Sequence, residues 1–167
     1  VGAKRVTAFL PDNPDLYEFM KGIDYLNFIA DLYDIPADQR TADIGKFGDA
    51  FELTGNLGSA IGSYSHGMRQ KLALISAFIR RPKLLILDEP FVGLDPSASH
   101  LMKGYLAELC RGGSAVFFST HVLEVAEKLC HQIAIIKDGR LVKSGPTEAL
   151  VGDSSLEDVF LELEGEK

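Results

Sequence analysis

The run Leu84–Leu87, four apolar residues followed at once by Asp88 and Glu89, constrains the fold more than any other part of this sequence. An apolar run of this length that ends in a turn signal is typical of a strand buried on both faces. Strands of that kind occur in parallel sheets covered by helices, and ligands bind at the carboxyl ends of such strands. The run therefore predicts a buried parallel strand that carries two carboxylates into a ligand site.

The residues after this run alternate between helix and strand patterns. Helices are predicted over 97–110 and 122–129, and strands over 115–119 and 133–136. Such alternation indicates a mostly parallel sheet with helices packed on its faces. A further apolar segment, Arg5–Leu10, ends at a proline and is interpreted as another buried strand that leads into a loop.

Between these strands the apolar periodicity is helical and predicts a separate helical subdomain. Its helices are expected over Lys21–Tyr33, over Pro36–Ala50 and, after the glycine-rich link Thr54–Ser63, from Met68 to about Arg81. The last helix must end there because a proline follows.

The final part of the chain predicts a hairpin and a helical tail. Asp138-Gly139 is a two-residue turn between the apolar runs Ile133–Ile136 and Leu141–Lys143, an arrangement typical of a β-hairpin. The tail helix is expected to begin near Ser155. Two residue pairs are candidates for its capping box: Ser155 with Asp158, or Ser154 with Glu157.

Composition excludes several classes of function. The 167 residues carry a formal net charge of −7 and a pI near 5.0, so the basic patch that binds nucleic acid is not expected. The apolar runs are far shorter than the roughly 20 residues that span a bilayer. Any role at a membrane would therefore depend on a partner.

The two carboxylates after the first run suit phosphate chemistry. Because adjacent residues at a strand end point in different directions, Asp88 would hold Mg²⁺ through water while Glu89 would polarise an attacking water molecule. His121 follows the next strand, at the same edge of the sheet, and can donate a hydrogen bond to a phosphate oxygen. The alternative is a buried strand that merely ends in an acidic turn.

Ser65 and Gly67 lie where a helix begins. A hydroxyl and free backbone N–H groups at the positive end of a helix form an anion site, and ordinary N-capping by Ser65 explains that residue equally well. The chain contains no glycine-rich loop that ends in Gly-Lys-Ser or Gly-Lys-Thr, the element that cradles nucleotide phosphates. The chain is therefore expected to have groups that contact phosphate, but not the glycine-rich loop that makes the main contacts with the nucleotide phosphates.

In this order, these motifs resemble the ATP-binding domains of ABC transporters, and the resemblance covers nearly the whole chain. The matching segments are Tyr64–Met68 for the signature motif, Leu84–Glu89 for the Walker B strand with its catalytic glutamate, Gly93–Asp95 for the D-loop, His121 for the switch histidine and Phe9–Asp12 for a strand and Q-loop. Exporter-type and multidrug members are the most similar branch, judged by residues 10–17, 64–71 and 156–161.

The resemblance implies an α/β fold: an incomplete P-loop NTPase (RecA-like) parallel sheet with helices on both faces and a helical signature subdomain. The Walker A strand and the N-terminal antiparallel β subdomain would be absent. The implied division is a core strand over 1–10, a helical subdomain with Q-loop and signature motif over 11–81, a RecA-like core over 82–145 and a helical tail over 146–167.

The resemblance also implies roles for individual residues. Glu89 and His121 would be catalytic, and Asp88 would bind Mg²⁺ through water. Contacts with ATP would come from Ser65, Gly67, Asp95 and Asp12.

Three residues depart from the family pattern. His66 replaces the first signature glycine, Met68 replaces the signature glutamine, and Asp12 stands where the family has glutamine or sometimes glutamate. Of the signature motif, only Ser65 and Gly67 therefore carry over as phosphate contacts.

The absent Walker A strand would leave a gap in the sheet. In this family it lies between the strand that ends at the switch histidine and the strand corresponding to Ile133–Ile136. Without it, both neighbours expose unpaired backbone groups, and buried groups of that kind cost about 1 to 3 kcal/mol each. The neighbours could pair directly, accept a strand from another chain, or drive self-association; we predict one of the last two.

The resemblance further implies a cytoplasmic subunit held at the inner face of the cell membrane by transmembrane permease subunits. It would pair head to tail with a second ATP-binding subunit. The leading hypothesis is an ABC transporter ATPase, present as a fragment without the phosphate-binding loop and inactive alone. Two alternatives are a non-catalytic module that completes a partner's ATP site in trans, and an ABC-type ATPase in a process other than transport.

Overall fold

A computed structural model describes residues 2–165, which form two units, one ending at Ser119 and the other beginning at Thr120. The first unit contains α1 (Gly2–Val6), β1 (Thr7–Leu10), α2 (Gly22–Leu32), α3 (Ala37–Ala50), α4 (His66–Phe78), β2 (Leu84–Asp88), α5 (Pro96–Arg111) and β3 (Ala115–Ser119). The second contains α6 (Leu123–Leu129), β4 (Gln132–Lys137), β5 (Arg140–Pro146), α7 (Thr147–Val151) and α8 (Leu156–Gly165).

The first unit is built on a parallel sheet in the order β1-β2-β3. The central strand β2 is the apolar run singled out in the sequence, and its Leu85 and Leu87 are 0% and 1% exposed. Helix α4 contacts β1, and α5 contacts β3. The prediction of a parallel strand that leads to Asp88 is therefore confirmed, while its burial is complete on one face only, since Leu84 and Ile86 on the other face are partly exposed.

The predicted strand Arg5–Leu10 is wrong at its beginning. Residues up to Val6 form the short helix α1, and β1 starts at Thr7, which pairs with Leu84. The ladder ends just before this pair, where the Val6 carbonyl accepts from the Lys83 N–H at 2.8 Å, because Pro82 before Lys83 has no N–H with which to continue it. Backbone groups without a ladder partner must find other hydrogen bonds, and a helical turn provides them.

The helical part of the first unit agrees with the periodicity. Helices α2 and α3 match their predicted ranges within one residue, and two short 3₁₀ turns, Thr54–Asn56 and Ile61–Ser63, occupy the glycine-rich link. Phe47, Phe78 and Tyr105 pack ring against ring, with centroids 4.5 to 5.6 Å apart. Burial in this cluster raises the pKa of Tyr105 to about 12. The cluster joins α3, α4 and α5.

The second unit contains the predicted hairpin. Strands β4 and β5 pair antiparallel around Asp138 and Gly139, which both have positive φ, 50° and 73°. Strand β5 extends beyond the predicted Lys143 to Pro146. Helix α7 follows at once and was not predicted, because five residues are too few to show a helical period.

Helix α8 begins with a capping box, as predicted. The Asp158 N–H donates to Ser155 Oγ at 3.1 Å, and the Ser155 N–H donates to Asp158 Oδ2 at 3.0 Å. The alternative pair is not formed, since Ser154 Oγ donates to the Val151 carbonyl instead. The Ser155 hydroxyl also donates to Asp158 Oδ2 at 2.7 Å, and this bond, followed by that from the Ser155 N–H, lowers the pKa of Asp158.

Each of the two sheets is a separate set of strands. Strand β3 is an edge strand of the three-stranded sheet, and β4 pairs with β5 in a two-stranded sheet. Phe117 of β3 is 64% exposed. A strand from another chain, or self-association, remains our prediction for what covers β3.

Candidate functional site

Asp88 and Ser119 are neighbours at the carboxyl edge of the parallel sheet. Asp88 is the last residue of β2 and Ser119 the last residue of β3, and the two are paired in the strand register. The Ser119 hydroxyl donates to Asp88 Oδ1 and accepts from the Glu89 N–H at 3.1 Å. One hydroxyl therefore orients the first carboxylate and fixes the backbone that carries the second.

Glu89 begins a tight turn directly after β2. Its φ is +44°, a left-handed conformation that is uncommon for a residue with a side chain, and its carbonyl accepts from the Val92 N–H at 3.1 Å. Asp88 is exposed while Glu89 is half-buried. The turn thus gives the adjacent carboxylates different surroundings, which suits a division of roles between them.

The signature segment begins helix α4. Ser65 is the N-cap, and its Oγ accepts from the Met68 N–H at 3.2 Å. Gly67 lies so close to the loop after β2 that an added Cβ would be 2.8 Å from the Gly93 carbonyl oxygen. Ser65 is therefore both a structural cap and an exposed hydroxyl at the positive end of a 13-residue helix.

Asp95 is the N-cap of α5, with proline at the first helical position. Its Oδ1 accepts from the Ala98 N–H at 2.8 Å, and its Oδ2 lies 2.7 Å from Lys71 Nζ. The bond with Lys71, and then that with Ala98, lowers the pKa of Asp95. Both carboxylate oxygens thus have partners within the chain, and the predicted contact of Asp95 with ATP stays a prediction.

The remaining two sequence-predicted residues lie after other strands. Asp12 is exposed in the loop after β1, which runs parallel to β2, so Asp12 follows the same edge of the sheet as Asp88. His121 is exposed and belongs to the second unit, just before α6. Its approach to the two carboxylates remains a prediction.

Sequence reasoning missed Ser119 and Lys71. Ser119 ends a strand of the same length as β2, and a parallel register that aligns the two strands brings it beside Asp88. Lys71 follows the signature motif by one helical turn, but its partner is 24 residues away in the sequence, since 95 − 71 = 24. Only the fold brings Lys71 and Asp95 together.

Asp88 fits a magnesium ion that arrives with a nucleotide. Its exposed carboxylate and the Ser119 hydroxyl are hard oxygen donors, and Mg²⁺ typically binds through one or two carboxylates together with substrate phosphates and water. Among residues 2–165, no three His, Cys, Asp or Glu side chains are grouped as a metal site. The Asp88 carboxylate and the Ser119 hydroxyl therefore fit a metal ion whose other ligands are phosphates and water.

A protein-family model described as "AAA domain, putative AbiEii toxin, Type IV TA system" matches residues 8–127. The ABC-type transporter ATP-binding protein EcsA of Bacillus subtilis is 31% identical over 97% of this chain and 68% of its own length. An ABC transporter ATP-binding protein of Nostoc, all4389, is 35% identical over 91% of this chain and 46% of its own length. The chain therefore spans only about half to two thirds of these relatives.

A solved structure agrees with the sequence matches. The chain superposes on the structure of an ATP binding subunit of an ABC transporter with a TM-score of 0.91, at 31% identity, over 96% of this chain and 69% of that one. The α/β architecture is thus a partial P-loop NTPase fold. Within the described residues, no helix has the length and apolar character needed to cross a membrane.

One assignment follows from the two carboxylates at the end of a parallel strand, from the capped signature segment and from these matches. The chain belongs to the family of ABC transporter ATP-binding proteins, and through residues 8–127 also to the AAA-domain family.

Proposed function

We propose that this chain is the ATP-hydrolysing part of an ABC transporter subunit, and that it works with a phosphate-binding loop from outside these 167 residues. One observation carries the proposal: Asp88 and Glu89 end the central strand of a parallel sheet and are tied to Ser119 of the neighbouring strand. The matches to ABC transporter ATP-binding proteins support it.

The two carboxylates divide the chemistry. Asp88, oriented by Ser119, would hold Mg²⁺ through water, and this ion would neutralise charge on the nucleotide phosphates. Glu89 would accept a proton from the water that attacks the terminal phosphate. The Glu89 backbone is held by the Ser119 hydroxyl and by its own turn, which sets the point of the chain from which the carboxylate reaches the water.

The other site residues would contact ATP or its metal ion from different sides. Ser65 and Gly67 would contact ATP that is held by a second copy of the subunit, through a hydroxyl and the N–H groups of the first turn of α4. His121 would donate to the terminal phosphate, and Asp12 would reach the metal through a water molecule. Asp95 would contact ATP across the same head-to-tail interface.

The partners of this subunit would be transmembrane permease subunits, which would hold it at the cytoplasmic face of the membrane. Residues 15–21, directly after the loop that carries Asp12, begin the helical part and are the proposed contact with the permease. The similarity of residues 10–17, 64–71 and 156–161 to exporter-type members supports an exporter. The division at 10, 81 and 145 into strand, helical subdomain, core and tail belongs to the same proposal.

A second candidate is a non-catalytic module that completes a partner's ATP site. It is favoured by one observation: the signature segment is fully formed and capped, while the chain has no Gly-Lys-Ser or Gly-Lys-Thr loop. For the same reason, the 167 residues alone should hydrolyse ATP negligibly. Turnover above about 1 per second that disappears in Glu89→Gln would contradict this expectation.

A chimera separates the two candidates. In it, these 167 residues replace the matched part of EcsA, which supplies the remainder of an intact ATP-binding subunit. We expect the chimera to hydrolyse MgATP and Glu89→Gln to lower kcat by about 100-fold or more. The exposed Glu162 of α8 gives a matched control, Glu162→Gln, which should leave kcat unchanged. A folded chimera without turnover would favour the non-catalytic module.

The open edge of β3 gives a test of assembly. If another chain supplies a strand, or the chain associates with itself, the purified 167 residues should form dimers or larger species in size-exclusion chromatography with light scattering. A monomer that is stable across a wide range of concentrations would contradict the prediction.

A further inference from the structure

An ion pair links the signature helix to the loop after the two carboxylates. Lys71, in the second turn of α4, lies 2.7 Å from Asp95, the N-cap of α5. The lysine side chain is only 14% exposed, so its position is set by packing as well as by charge. The Asp95 carboxylate therefore connects the beginnings of two helices, through Lys71 on one side and the Ala98 N–H on the other.

Two glycines bring the same segments into backbone contact. Gly67 has no room for a side chain, since a Cβ would be 2.8 Å from the Gly93 oxygen. Gly93 has φ +79°, and a Cβ there would be 2.6 Å from His66 Cδ2. The imidazole of His66, which stands where the family has glycine, thus covers the Gly93 backbone. We call His66, Gly67, Lys71, Gly93 and Asp95 the signature latch.

The loop that carries Gly93 and Asp95 is connected to Glu89 by two consecutive hydrogen-bonded turns. The Val92 N–H donates to the Glu89 carbonyl at 3.1 Å, and the Leu94 N–H donates to the Phe91 carbonyl at 3.4 Å. The Glu89 backbone itself is held by Ser119. Because of these bonds, a movement of Gly93 or Asp95 moves the two turns as well. The backbone of Glu89 is then displaced with them.

We propose that Lys71 is a positioning residue, which couples contact at Ser65 and Gly67 to the placement of Glu89 in the same chain. The inference rests on the proposed function, because it assigns Glu89 the catalytic base. In a head-to-tail pair, these two ends of one chain serve different ATP molecules.

The test is a mutant cycle in the EcsA chimera. Lys71→Gln removes the charge of the ion pair, and Asp95→Asn removes its partner charge while asparagine still caps α5. We expect Lys71→Gln to lower kcat about tenfold while the KM for ATP stays within about twofold, since it removes no group that contacts ATP. Asp95→Asn should lower kcat by at least as much and should also raise the KM, because Asp95 is a proposed contact with ATP. The double variant should be no worse than Asp95→Asn alone, because both changes remove the same interaction.

Two further variants separate positioning from stability. Lys71→Arg preserves the charge and should retain at least about half of kcat. Lys128→Gln removes another lysine from an ion pair, the exposed one with Glu124 at 2.7 Å, and should leave kcat unchanged. Thermal unfolding of each variant shows whether a loss of turnover follows a loss of folded protein.

The outcomes are distinct. An active chimera whose Lys71→Gln variant keeps full kcat, or whose two single changes add, would overturn this inference and leave the proposed function standing. A decrease in kcat that simply follows the melting temperature would also overturn it. A folded parent chimera without turnover would remove the proposed catalytic function and this inference with it.

Discussion

Strands β2 and β3 lie side by side in one sheet and are both apolar, yet they differ in burial. Leu85 of β2 is inaccessible, whereas Phe117 of β3 is 64% exposed. The two side chains also lie on opposite faces of the sheet, since the register pairs Phe117 with Ile86, and Phe9 on that same face is 61% exposed. An apolar run therefore predicts a strand, while the burial of each residue depends on which face of the sheet is covered.

Truncation of these two residues should give the largest difference. Leu85→Ala removes a fully buried side chain and should lower the free energy of unfolding by about 2 to 5 kcal/mol. Phe117→Ala removes a ring that is mostly exposed in the single chain, and should change the free energy of unfolding by about 0.5 kcal/mol or less in the dissociated monomer, and by more where self-association covers β3. Urea denaturation of the 167 residues measures both. A large loss for Phe117→Ala would mean that β3 is covered in solution, as self-association would require.

The hydrogen bonds that join the two strands at their ends should give a smaller effect. Ser119→Ala removes the bonds to Asp88 and Glu89 at the carboxyl edge, and should cost about 1 kcal/mol of stability. Ser114→Ala is the matched control just before β3, where the hydroxyl donates to the Pro82 carbonyl at 2.8 Å.

These two serine variants separate the site from the scaffold. We expect similar losses of stability, while in the EcsA chimera only Ser119→Ala should lower kcat, because only this residue orients the carboxylates. Equal effects on turnover would indicate that Ser119 contributes to the sheet alone.

The loop that leaves β2 should show the smallest effect, in the titration of Asp95. Its pKa is lowered chiefly by the hydrogen bond with Lys71, so Lys71→Gln should raise that pKa toward the ordinary value of an aspartate. Carbon-13 NMR of the carboxyl groups measures the change. An Asp95 that titrates identically in both proteins would show that the ion pair is not formed in solution.

The pH dependence of stability follows from the same shift. A pKa that is lower in the folded than in the unfolded state contributes stability above the unfolded pKa, and this contribution is lost as the pH falls through the folded pKa. Lys71→Gln should therefore make the protein slightly less dependent on pH on the acidic side. The effect is small because Asp95 is half exposed.

The parts of the site that follow from local pattern could be predicted from the sequence. The strand before Asp88, the helix start at Ser65 and the Asp138-Gly139 turn each depend on a few consecutive residues. The helix predicted from Ser97 begins one residue earlier, at Pro96, with Asp95 as its N-cap.

The parts of the site that depend on contacts between residues far apart in the sequence could not be predicted from it. Ser119 becomes relevant only when the parallel register brings it beside Asp88, and Lys71 only when α4 packs near the start of α5. The misassigned residues Arg5 and Val6 have the same cause, because the beginning of β1 is set by where β2 begins. The exposure of Phe117 likewise could not be predicted, because it depends on which face of the sheet is covered, and Phe9 on the same face is also exposed.

In the proposed head-to-tail pair, two chains share each ATP site, with Glu89 from one chain and Ser65 from the other. Complementation between two inactive chimeras is the sharpest test of this arrangement. Glu89→Gln and Ser65→Ala should each lower turnover by about 100-fold when present in every chain. A mixed dimer of the two would still contain one site with both residues intact.

We predict that mixing the two variants restores turnover to at most about a quarter of the parent activity. About half of randomly formed dimers are mixed, and each mixed dimer has one intact site of two. Mixtures that remain as inactive as either variant alone, while mixed dimers demonstrably form, would contradict it.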